Sequence, residues 1–390
     1  MAAFVLLLTA LSLLIWIGLL SFRGQFWRCD QQLEAKEIPL PSLPRISAVI
    51  PARNEADLLP MTLRSLLLQD YPGDFNVFLV DDRSTDGTAD FAQGVAYALN
   101  KADQFHIISG KSLPPGWSGK LWAVEQGIQI ATEFAPDYFL LTDADIEHDS
   151  GSLRRLVAKA EQEDLDLVSV MVRLRCESFW EQILIPAFVF FFQKLYPFRW
   201  VNSSKNSTAA AAGGSILIRK TALEKIGGIA TIRQALIDDC ALAKAVKGNK
   251  EWRQGRIWLG LSALTQSLRP YPDLDTVWQM VARTAYTQLN YSPLLLAGTV
   301  VAMTLIYLIP PLATILGALT LNWAIAFLGL VAWLLMSFAY YPTIRFYKCP
   351  AWLACCLPAI AFLYTLMTID SAIRHWQGRG GAWKGRVYPS

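Results

Sequence analysis

The sequence predicts an α/β domain with a mostly parallel, Rossmann-like sheet, joined to an N-terminal membrane anchor and to C-terminal transmembrane helices. Two observations lead to this prediction. Between about residues 45 and 283, short apolar runs alternate with helical patterns, which is typical of βαβ units. Only 17% of the 390 residues are charged, against roughly a quarter in a soluble domain. This composition excludes a plain cytosolic enzyme, a disordered chain and an all-membrane transporter.

The N-terminal segment, residues 1–22, is predicted to be an uncleaved anchor. Residues 2–20 are uncharged and rich in leucine, and at about 1.5 Å per residue they are long enough to cross a hydrocarbon core. A signal peptide would begin with basic residues and carry a shorter apolar stretch. Because Arg23, Arg28 and Lys36 follow the segment, the positive-inside rule places the α/β domain in the cytoplasm of a multi-pass protein of the cell membrane.

The α/β domain, residues 45–291, begins with four predicted strands. They are the apolar runs Ile46–Ile50, Val77–Val80, Phe105–Ile108 and Tyr138–Leu141. Apolar residues at helical spacing predict helices between and after these strands; the helices are Ala56–Gln69, Thr88–Leu99, Lys120–Thr132 and Cys240–Val246.

Polar clusters follow three of the strands directly. They are Pro51-Ala52-Arg53-Asn54-Glu55, Asp81-Asp82-Arg83-Ser84 and Asp143-Ala144-Asp145. In parallel sheets, ligands bind at the carboxyl ends of strands, so a site is expected there. Glycine-rich phosphate loops are missing from the sequence. Asp143 and Asp145, one residue apart after a buried strand, could instead hold a divalent cation that bridges to a diphosphate.

The sequence resembles the family 2 glycosyltransferases, inverting enzymes of the GT-A fold. The segments that carry the resemblance are AVIPARNEADLLPMTLRSLLLQDYP, VFLVDDRSTDGTAD, FLLTDADIEH and IDDCALA. The hopene-associated (HpnB) subgroup is the most similar, through LPPGWSGKLWAVEQG, NSSKNSTAAAAGGSILIRKTALEKIGG and the tail WKGRVY. The resemblance covers nearly the whole chain. It implies transfer of a single sugar from a nucleotide diphosphate sugar to a lipid hydroxyl, of hopanoid type in that subgroup.

The resemblance also implies roles for individual residues. The nucleotide-sugar pocket would be lined by Pro51, Arg53, Asn54, Glu55 and Asp82, with Asp82 on the uracil or ribose edge. Asp145, assisted by Asp143, would hold Mg²⁺ or Mn²⁺. Without its neighbours, Asp82 would be read as a turn-forming residue. Lys120 would pair with the diphosphate or the acceptor, or would be a solvated residue at a helix start.

The pair Asp238-Asp239 lies where the family keeps its catalytic acidic residues. We expect Asp239 to be the base that deprotonates the acceptor hydroxyl, while Asp238 could instead favour the helix dipole. Processive family members carry Q-x-x-R-W after the base. The corresponding stretch here, Trp278–Thr284, lacks that motif, which favours a single transfer. Arg283 is still expected to reach the diphosphate.

The C-terminal part, residues 292–370, is predicted to contain transmembrane or re-entrant helices. Positions 284–344 carry no charged residue, which fits two spans near Pro293–Ala318 and Trp323–Tyr340, the first kinked at Pro310-Pro311. The apolar segment 351–369 is broken by Pro358. A full crossing would leave the basic tail, residues 371–390, outside against the positive-inside rule, whereas a re-entrant segment would not. Both alternatives remain open.

The aromatic stretch 179–200 is predicted to lie in the membrane interface, interrupted by Pro186 and Pro197; a buried core helix is the alternative. The six cysteines show no metal pattern and are expected to be reduced filler. A net charge of +3 does not suggest nucleic acid as a partner. The partners expected are therefore the nucleotide sugar, the lipid acceptor and the bilayer.

Two other functions remain open at this stage. One is a polyprenyl-phosphate or exopolysaccharide glycosyltransferase, which would differ in its acceptor. The other is a catalytically inactive, nucleotide-binding membrane scaffold. The complete set of Asp82, Asp145 and Asp239 argues against the scaffold.

Overall fold

One eight-stranded sheet forms the centre of the computed structural model, which describes residues 2–35, 39–248 and 255–379 and the backbone of 382–383 and 386–387. Lys36 and Lys384, used in the topology and tail predictions, lie outside the described residues. The sheet strands are β1 Ile46–Ala52, β2 Phe75–Asp81, β3 Phe105–Ser109, β4 Tyr138–Leu141, β5 Ile146–Glu147, β6 Leu167–Arg173, β7 Ile216–Arg219 and β8 Ile257–Ser267. Their order is β3-β2-β1-β4-β7-β6-β8-β5.

The first half of the sheet is the parallel unit that the sequence predicts. β1 pairs in parallel with β2 on one side and β4 on the other, and β2 pairs with β3. β4 has the predicted bounds. In the second half, β7 runs antiparallel to β4 and β6, and β5 runs antiparallel to β8. Strands β5–β8 were not predicted, and they make the sheet mixed.

Helices cover both faces of the sheet and enclose two separate apolar cores. Strand β1 is buried along its whole length, as expected for a strand covered on both faces. The helices of the α/β domain are α2 Leu59–Leu67, α3 Thr88–Ala98, α4 Gly119–Ala131, α5 Ser152–Gln162, α6 Phe179–Leu195, α7 Phe198–Val201, α8 Lys220–Lys225, α9 Asp238–Gly248 and α10 Leu274–Ala282. One core includes residues of α2, α3 and α5, and the other includes residues of α4, α6 and α9.

Helix α2 begins three residues later than predicted, and hydrogen bonds from the neighbouring loop explain the difference. The backbone N–H of Glu55 donates to Thr88 Oγ1 and that of Ala56 to Asp86 Oδ2, both at 3.0 Å. These bonds hold the end of β1 in an irregular turn, so the polar residues at this end do not join the helix.

Four segments are long and apolar enough to cross a membrane among the described residues. They are α1 Ala2–Phe22, Pro293–Leu319, α13 Trp323–Phe346 and Ala351–Trp376. The second consists of α11 Pro293–Met303, a π-helical turn and α12 Ile309–Leu319, and the fourth ends in α14 Leu357–Trp376. Length and composition thus agree with the predicted anchor and the two predicted spans.

The irregularity predicted at Pro310-Pro311 lies one turn earlier, as the π-helical turn Thr304–Leu308. Pro310 has no N–H to donate to the carbonyl of Ile306. That carbonyl instead accepts a hydrogen bond from Trp16 Nε1 at 2.8 Å. The prolines themselves lie in the first turn of α12, where the missing N–H costs little.

Helix α6 lies between the α/β domain and the apolar helices. Ile185 and Val189 pack into the core of the domain, while Leu184 and Phe190 pack with residues of α13 and α14. Phe190 is fully buried. This position agrees with the second alternative for the segment, a buried helix. The predicted break at Pro186 was wrong, because α6 continues through it.

Candidate active site

A cleft lined by charged and apolar side chains opens at the carboxyl ends of the adjacent strands β1 and β4. Residues that line it come from β1, α4, the turn after β4 and α9; among them are Pro51, Lys120, Thr142, Asp143, Gly213, Asp238 and Asp239. These elements are distant in the sequence and meet because parallel strands end at the same edge of the sheet. The structure therefore brings the predicted polar clusters together.

Lys120 joins two of the predicted carboxylates. Its Nζ lies 2.9 Å from Asp143 Oδ1 and 3.1 Å from Asp238 Oδ2. Helix α4 presents this side chain from its first turn, where Ser118 Oγ caps the helix by accepting from Leu121 N. Burial lowers the pKa of Lys120, but Asp143 and Asp238 outweigh that effect and raise it. Lys120 is therefore a charged member of the cleft rather than a solvated residue.

Asp239 is held by two backbone N–H groups. Gly213 N donates to Oδ2 at 2.9 Å, and Cys240 N donates to Oδ1 at 2.7 Å. Burial and the charge of Asp238 raise the pKa of Asp239 to about 6, against the lowering effects of Lys120 and the two N–H donors. A carboxylate with such a pKa is ionised at neutral pH and still binds a proton readily, which suits a general base.

Asp143, which follows β4, shares Lys120 as an ion-pair partner with Asp238. Burial raises the pKa of Asp143, and the charge of Lys120 opposes that effect. A Cβ atom at Gly213 would lie 3.4 Å from Lys120 Nζ, 3.6 Å from Asp239 Oδ2 and 3.7 Å from Asp143 Oδ2. Gly213 thus forms the floor where the three charged groups meet, and its lack of a side chain leaves room for a ligand.

Arg269 pairs with two further carboxylates, those of Asp145 and Glu55, and it was not predicted from the sequence. Its Nε lies 2.6 Å from Asp145 Oδ2, and its Nη2 lies 2.6 Å from Glu55 Oε1. Burial lowers the pKa of Arg269, while Asp145 and Glu55 raise it above the ordinary value. The residue follows β8, where Leu268 N donates to Asp145 O. Because β8 was not predicted, nothing in the sequence indicated that this single arginine lies at the site.

The loops after β1 and β2 are tied to each other. Arg53 Nη1 donates to Asp82 O at 2.7 Å and lies 3.7 Å from the Asp82 carboxylate. Asp82 is 2% exposed. Asn54 has a left-handed backbone, φ 51°, and its side-chain oxygen accepts from Thr85 N at 2.9 Å. These contacts fix the predicted nucleotide-binding residues relative to the sheet.

Arg283 follows α10 directly and is exposed. Burial and the charge of Asp145 raise the pKa of Tyr271, whereas the charges of Arg269 and Arg283 lower it. The expected role of Arg283 at the diphosphate stays a prediction.

The carboxylates suit a divalent cation that is shared with a ligand. No group of three potential metal ligands occurs among the described histidine, cysteine, aspartate and glutamate residues. Asp143 and Asp145 provide hard oxygen ligands of the kind that Mg²⁺ and Mn²⁺ prefer. Each is now paired with a cationic side chain. A cation here would therefore need further oxygens from a ligand such as a diphosphate.

Comparisons with known proteins agree with this fold. Residues 47–227 match the family model described as Glycosyl transferase family 2, which identifies this part of the chain as a glycosyltransferase domain. An undecaprenyl-phosphate mannosyltransferase from Micrococcus luteus is 31% identical over 122 residues, which are 31% of this chain and 46% of that protein. The match thus spans about half of the relative's length.

A solved structure shares the fold over most of the chain. The mannosyltransferase PcManGT from Pyrobaculum calidifontis, in complex with GDP-Man and Mn²⁺, has a TM-score of 0.51 and 16% sequence identity; the match covers 94% of this chain and 99% of that chain. The α/β domain therefore has the predicted GT-A fold. Asp239 and Arg269 lie beyond the residues that the family model matches.

Proposed function

We propose that this protein is a membrane-bound inverting glycosyltransferase that transfers a single sugar from a nucleotide diphosphate sugar to a lipid hydroxyl. The observation that carries the proposal is Asp239, a carboxylate oriented by two N–H donors with a pKa near 6, in the same cleft as Asp143 and Lys120. A hydroxyl acceptor needs such a base. The apolar helices supply the membrane setting for a lipid acceptor, of which a hopanoid-type lipid is one.

The residues of the cleft divide the reaction between them. Arg53, Asn54 and Asp82 hold the nucleoside, and Lys120 donates hydrogen bonds to the diphosphate. A divalent cation at Asp143 and Asp145 would neutralise diphosphate charge. Asp239 takes the proton of the acceptor hydroxyl as its oxygen bonds to the anomeric carbon. The bond from that carbon to the diphosphate breaks in the same step, and the nucleoside diphosphate leaves with the bonding electrons.

A polyprenyl-phosphate acceptor is the second candidate, favoured by the Micrococcus luteus relative. The acceptor oxygen of a phosphate is already ionised at neutral pH, so that reaction needs no base. The importance of Asp239 for transfer therefore separates the two candidates. The scaffold alternative requires no turnover at all.

The test uses detergent-purified full-length protein with lipid extract, Mg²⁺ or Mn²⁺, and radiolabelled donors. GDP-mannose is the first donor to try, because both comparisons concern mannosyltransferases. We expect a labelled lipid product that disappears with chelator and in the Asp145→Asn variant. Asp137→Asn, a change at an exposed carboxylate paired with Arg45, is the matched control. Folded protein that turns over no donor with any lipid would refute the proposal.

Orientation belongs to the same proposal. Arg23 and Arg28 follow α1 directly, which favours a cytoplasmic position for the α/β domain. Nucleotide sugars are made in the cytoplasm, so this orientation would give the cleft access to its donor.

A further inference from the structure

Arg23, the first residue after α1, contacts the C-terminal end of α6, which carries a second cationic residue, Lys194. Arg23 Nε donates to Lys194 O at 3.1 Å, and Arg23 Nη2 donates to Leu195 O at 3.2 Å. The guanidinium also lies over the ring of Trp200, 5.0 Å from its centre. Arg23 thus satisfies carbonyls at the C-terminal end of α6 and places its charge next to Lys194.

Lys194 directs its ammonium group toward the membrane helices. Its Nζ donates to Tyr307 OH at 2.8 Å and lies 4.6 Å from the centre of the Tyr307 ring. The Phe191 ring is 5.9 Å away. Burial and, to a smaller extent, the charge of Arg23 lower the pKa of Lys194 to about 7. The charged form is therefore poorly compensated by the protein.

Within the part of the chain that the structure describes, no carboxylate pairs with either cation. In residues 2–35, 39–248 and 255–379, neither Arg23 nor Lys194 forms an ion pair; Asp30, the acidic residue near this corner, pairs with Arg199. An ammonium group can donate three hydrogen bonds, and Lys194 uses one for Tyr307. Arg23 and Lys194 are both partly buried, and partly buried cations without an anionic partner lose part of their hydration, which an anion would compensate.

The surroundings indicate where that anion comes from. Trp200, which is partly exposed, lies under the guanidinium of Arg23. Tryptophan concentrates at the level of lipid headgroups, and Arg23 is the first residue after α1. Arginine and lysine together suit phosphate, which accepts both forked and single hydrogen bonds. We propose that Arg23 and Lys194 bind the phosphate of an anionic membrane phospholipid.

Such a lipid would hold the end of α6 near the candidate base. Tyr196, the residue that ends α6, accepts a hydrogen bond from Gln288 Nε2 at 2.6 Å. Burial, with Cys240 and Asp239 close by, raises the pKa of Tyr196. The phospholipid site is independent of the acceptor, so it stands whether the acceptor is a hydroxyl or a phosphate.

The test titrates full-length protein in neutral detergent with short-chain phosphatidylglycerol and follows the midpoint of thermal unfolding. We expect phosphatidylglycerol to raise the midpoint, and Lys194→Met to weaken its apparent affinity by roughly ten- to a hundred-fold, the effect of one charged hydrogen bond. Lys205→Met removes the same charge from an exposed position and should leave the affinity unchanged. Phosphatidylglycerol binding of wild-type strength in Lys194→Met would overturn the proposal.

Two further experiments distinguish a lipid from soluble phosphate and replace Lys194→Met if that variant does not fold. Sodium phosphate at millimolar concentration should neither raise the midpoint nor compete; equal stabilisation would assign the site to a soluble phosphate and overturn the lipid. If Lys194→Met does not fold, Lys194→Arg and Tyr307→Phe replace it. Both keep the cation, so both should bind phosphatidylglycerol as tightly as wild type or more tightly. Loss of binding in Tyr307→Phe would also contradict the proposal.

Discussion

Asp239 should control how the activity depends on pH. Its pKa is raised to about 6, and the proposed base must be ionised to accept a proton. We therefore expect kcat/KM to be low at pH 5, to rise through about pH 6 and to level off above pH 7. Asp239→Asn should lower turnover by about 10²–10⁴-fold and leave nucleotide binding nearly unchanged. Pre-steady-state transfer assays and calorimetry with nucleotide would measure both.

Asp238 provides the control for that prediction. Its charge raises the pKa of Asp239, so Asp238→Asn should move the rise in kcat/KM to lower pH while the base remains. It should also weaken donor binding, because Asp238 positions Lys120. If Asp238→Asn abolished turnover at every pH and Asp239→Asn did not, the two roles would be reversed.

Gly213 should be needed for space rather than for backbone conformation. A Cβ atom there would make ordinary contacts of 3.4–3.7 Å with three charged groups, so Gly213→Ala should fold normally. It would nevertheless occupy the floor of the cleft, and we expect nucleotide-sugar affinity to fall at least ten-fold by calorimetry. Gly94→Ala, a change within α3 where a Cβ meets nothing within 4 Å, is the matched control. Unchanged affinity in Gly213→Ala would place the donor elsewhere.

For single residues, the sequence alone predicted the carboxylates of the cleft but not the residues that contact and position them. Asp143, Asp145 and Asp239 follow recognisable motifs, so their positions could be predicted. Gly213 and Arg269 could not be, because a side chain that acts through a contact 124 residues away leaves no local pattern. The ion pair of Lys120 with Asp238 likewise could not be predicted, since it depends on how α4 and α9 approach each other.

Between elements, Arg269 ties the end of β8 to the ends of β1 and β4. The side chains of Glu55 and Asp145 are 9% and 13% exposed, so Arg269→Met would leave two nearly buried carboxylates without their partner. Losing one partner of a fully buried pair costs about 3–5 kcal/mol. Because the arginine is one-third exposed, we expect a smaller loss of unfolding free energy, about 2–3 kcal/mol.

Added Mn²⁺ should distinguish this electrostatic role from simple packing. With Arg269 gone, the two carboxylates could be neutralised by the metal, so Mn²⁺ should raise the thermal midpoint of Arg269→Met more than that of wild type. Arg45→Met, which removes an exposed partner of Asp137, should show no such gain. A Mn²⁺ effect of equal size in all three proteins would contradict the electrostatic role.

The sequence predicted the first half of the sheet better than the second, for a physical reason. Strands β1–β4 are short apolar runs separated by helices, and the polar residues that follow them mark their ends. Strand β8 is long and partly exposed near its end, and β5 has only two residues. Neither therefore shows a clear alternation of apolar and polar residues in the sequence. Antiparallel pairing of β7 with β4 and β6 depends on contacts between distant segments, which local patterns do not encode.

Over the whole molecule, α6 connects the α/β domain, which carries the cleft, with the apolar helices. One side of it packs into the core beneath the cleft, and the other packs against α13 and α14. Glu181 in its first turn accepts hydrogen bonds from the backbone N–H groups of Ser178 and Tyr271. The helix is therefore fixed to the α/β domain as well as to the apolar helices, and a lipid acceptor would meet a rigid boundary.

The segment after α13 should enter and leave the membrane on the same side. Near its start, Arg173 Nη2 of β6 donates to Tyr347 O at 3.2 Å. The chain then runs back along α13, where Trp333 Nε1 donates to Cys355 O at 3.0 Å, about 20 Å from the helix end. Helix α14 returns, and Trp278 Nε1 of α10 donates to Asp370 Oδ2 at 2.7 Å. Both ends thus contact the α/β domain.

This path predicts a re-entrant segment and a tail on the same side as the α/β domain, which also satisfies the positive-inside rule for Arg374 and Arg379. The test places single cysteines in a cysteine-free chain and labels sealed, oriented vesicles with a membrane-impermeant maleimide. Gln377→Cys should react with the same orientation as Asp103→Cys, an exposed position beside β3, and Thr320→Cys, between α12 and α13, should react with the opposite one. If Gln377→Cys reacted together with Thr320→Cys, the segment would cross completely and the basic tail would lie outside.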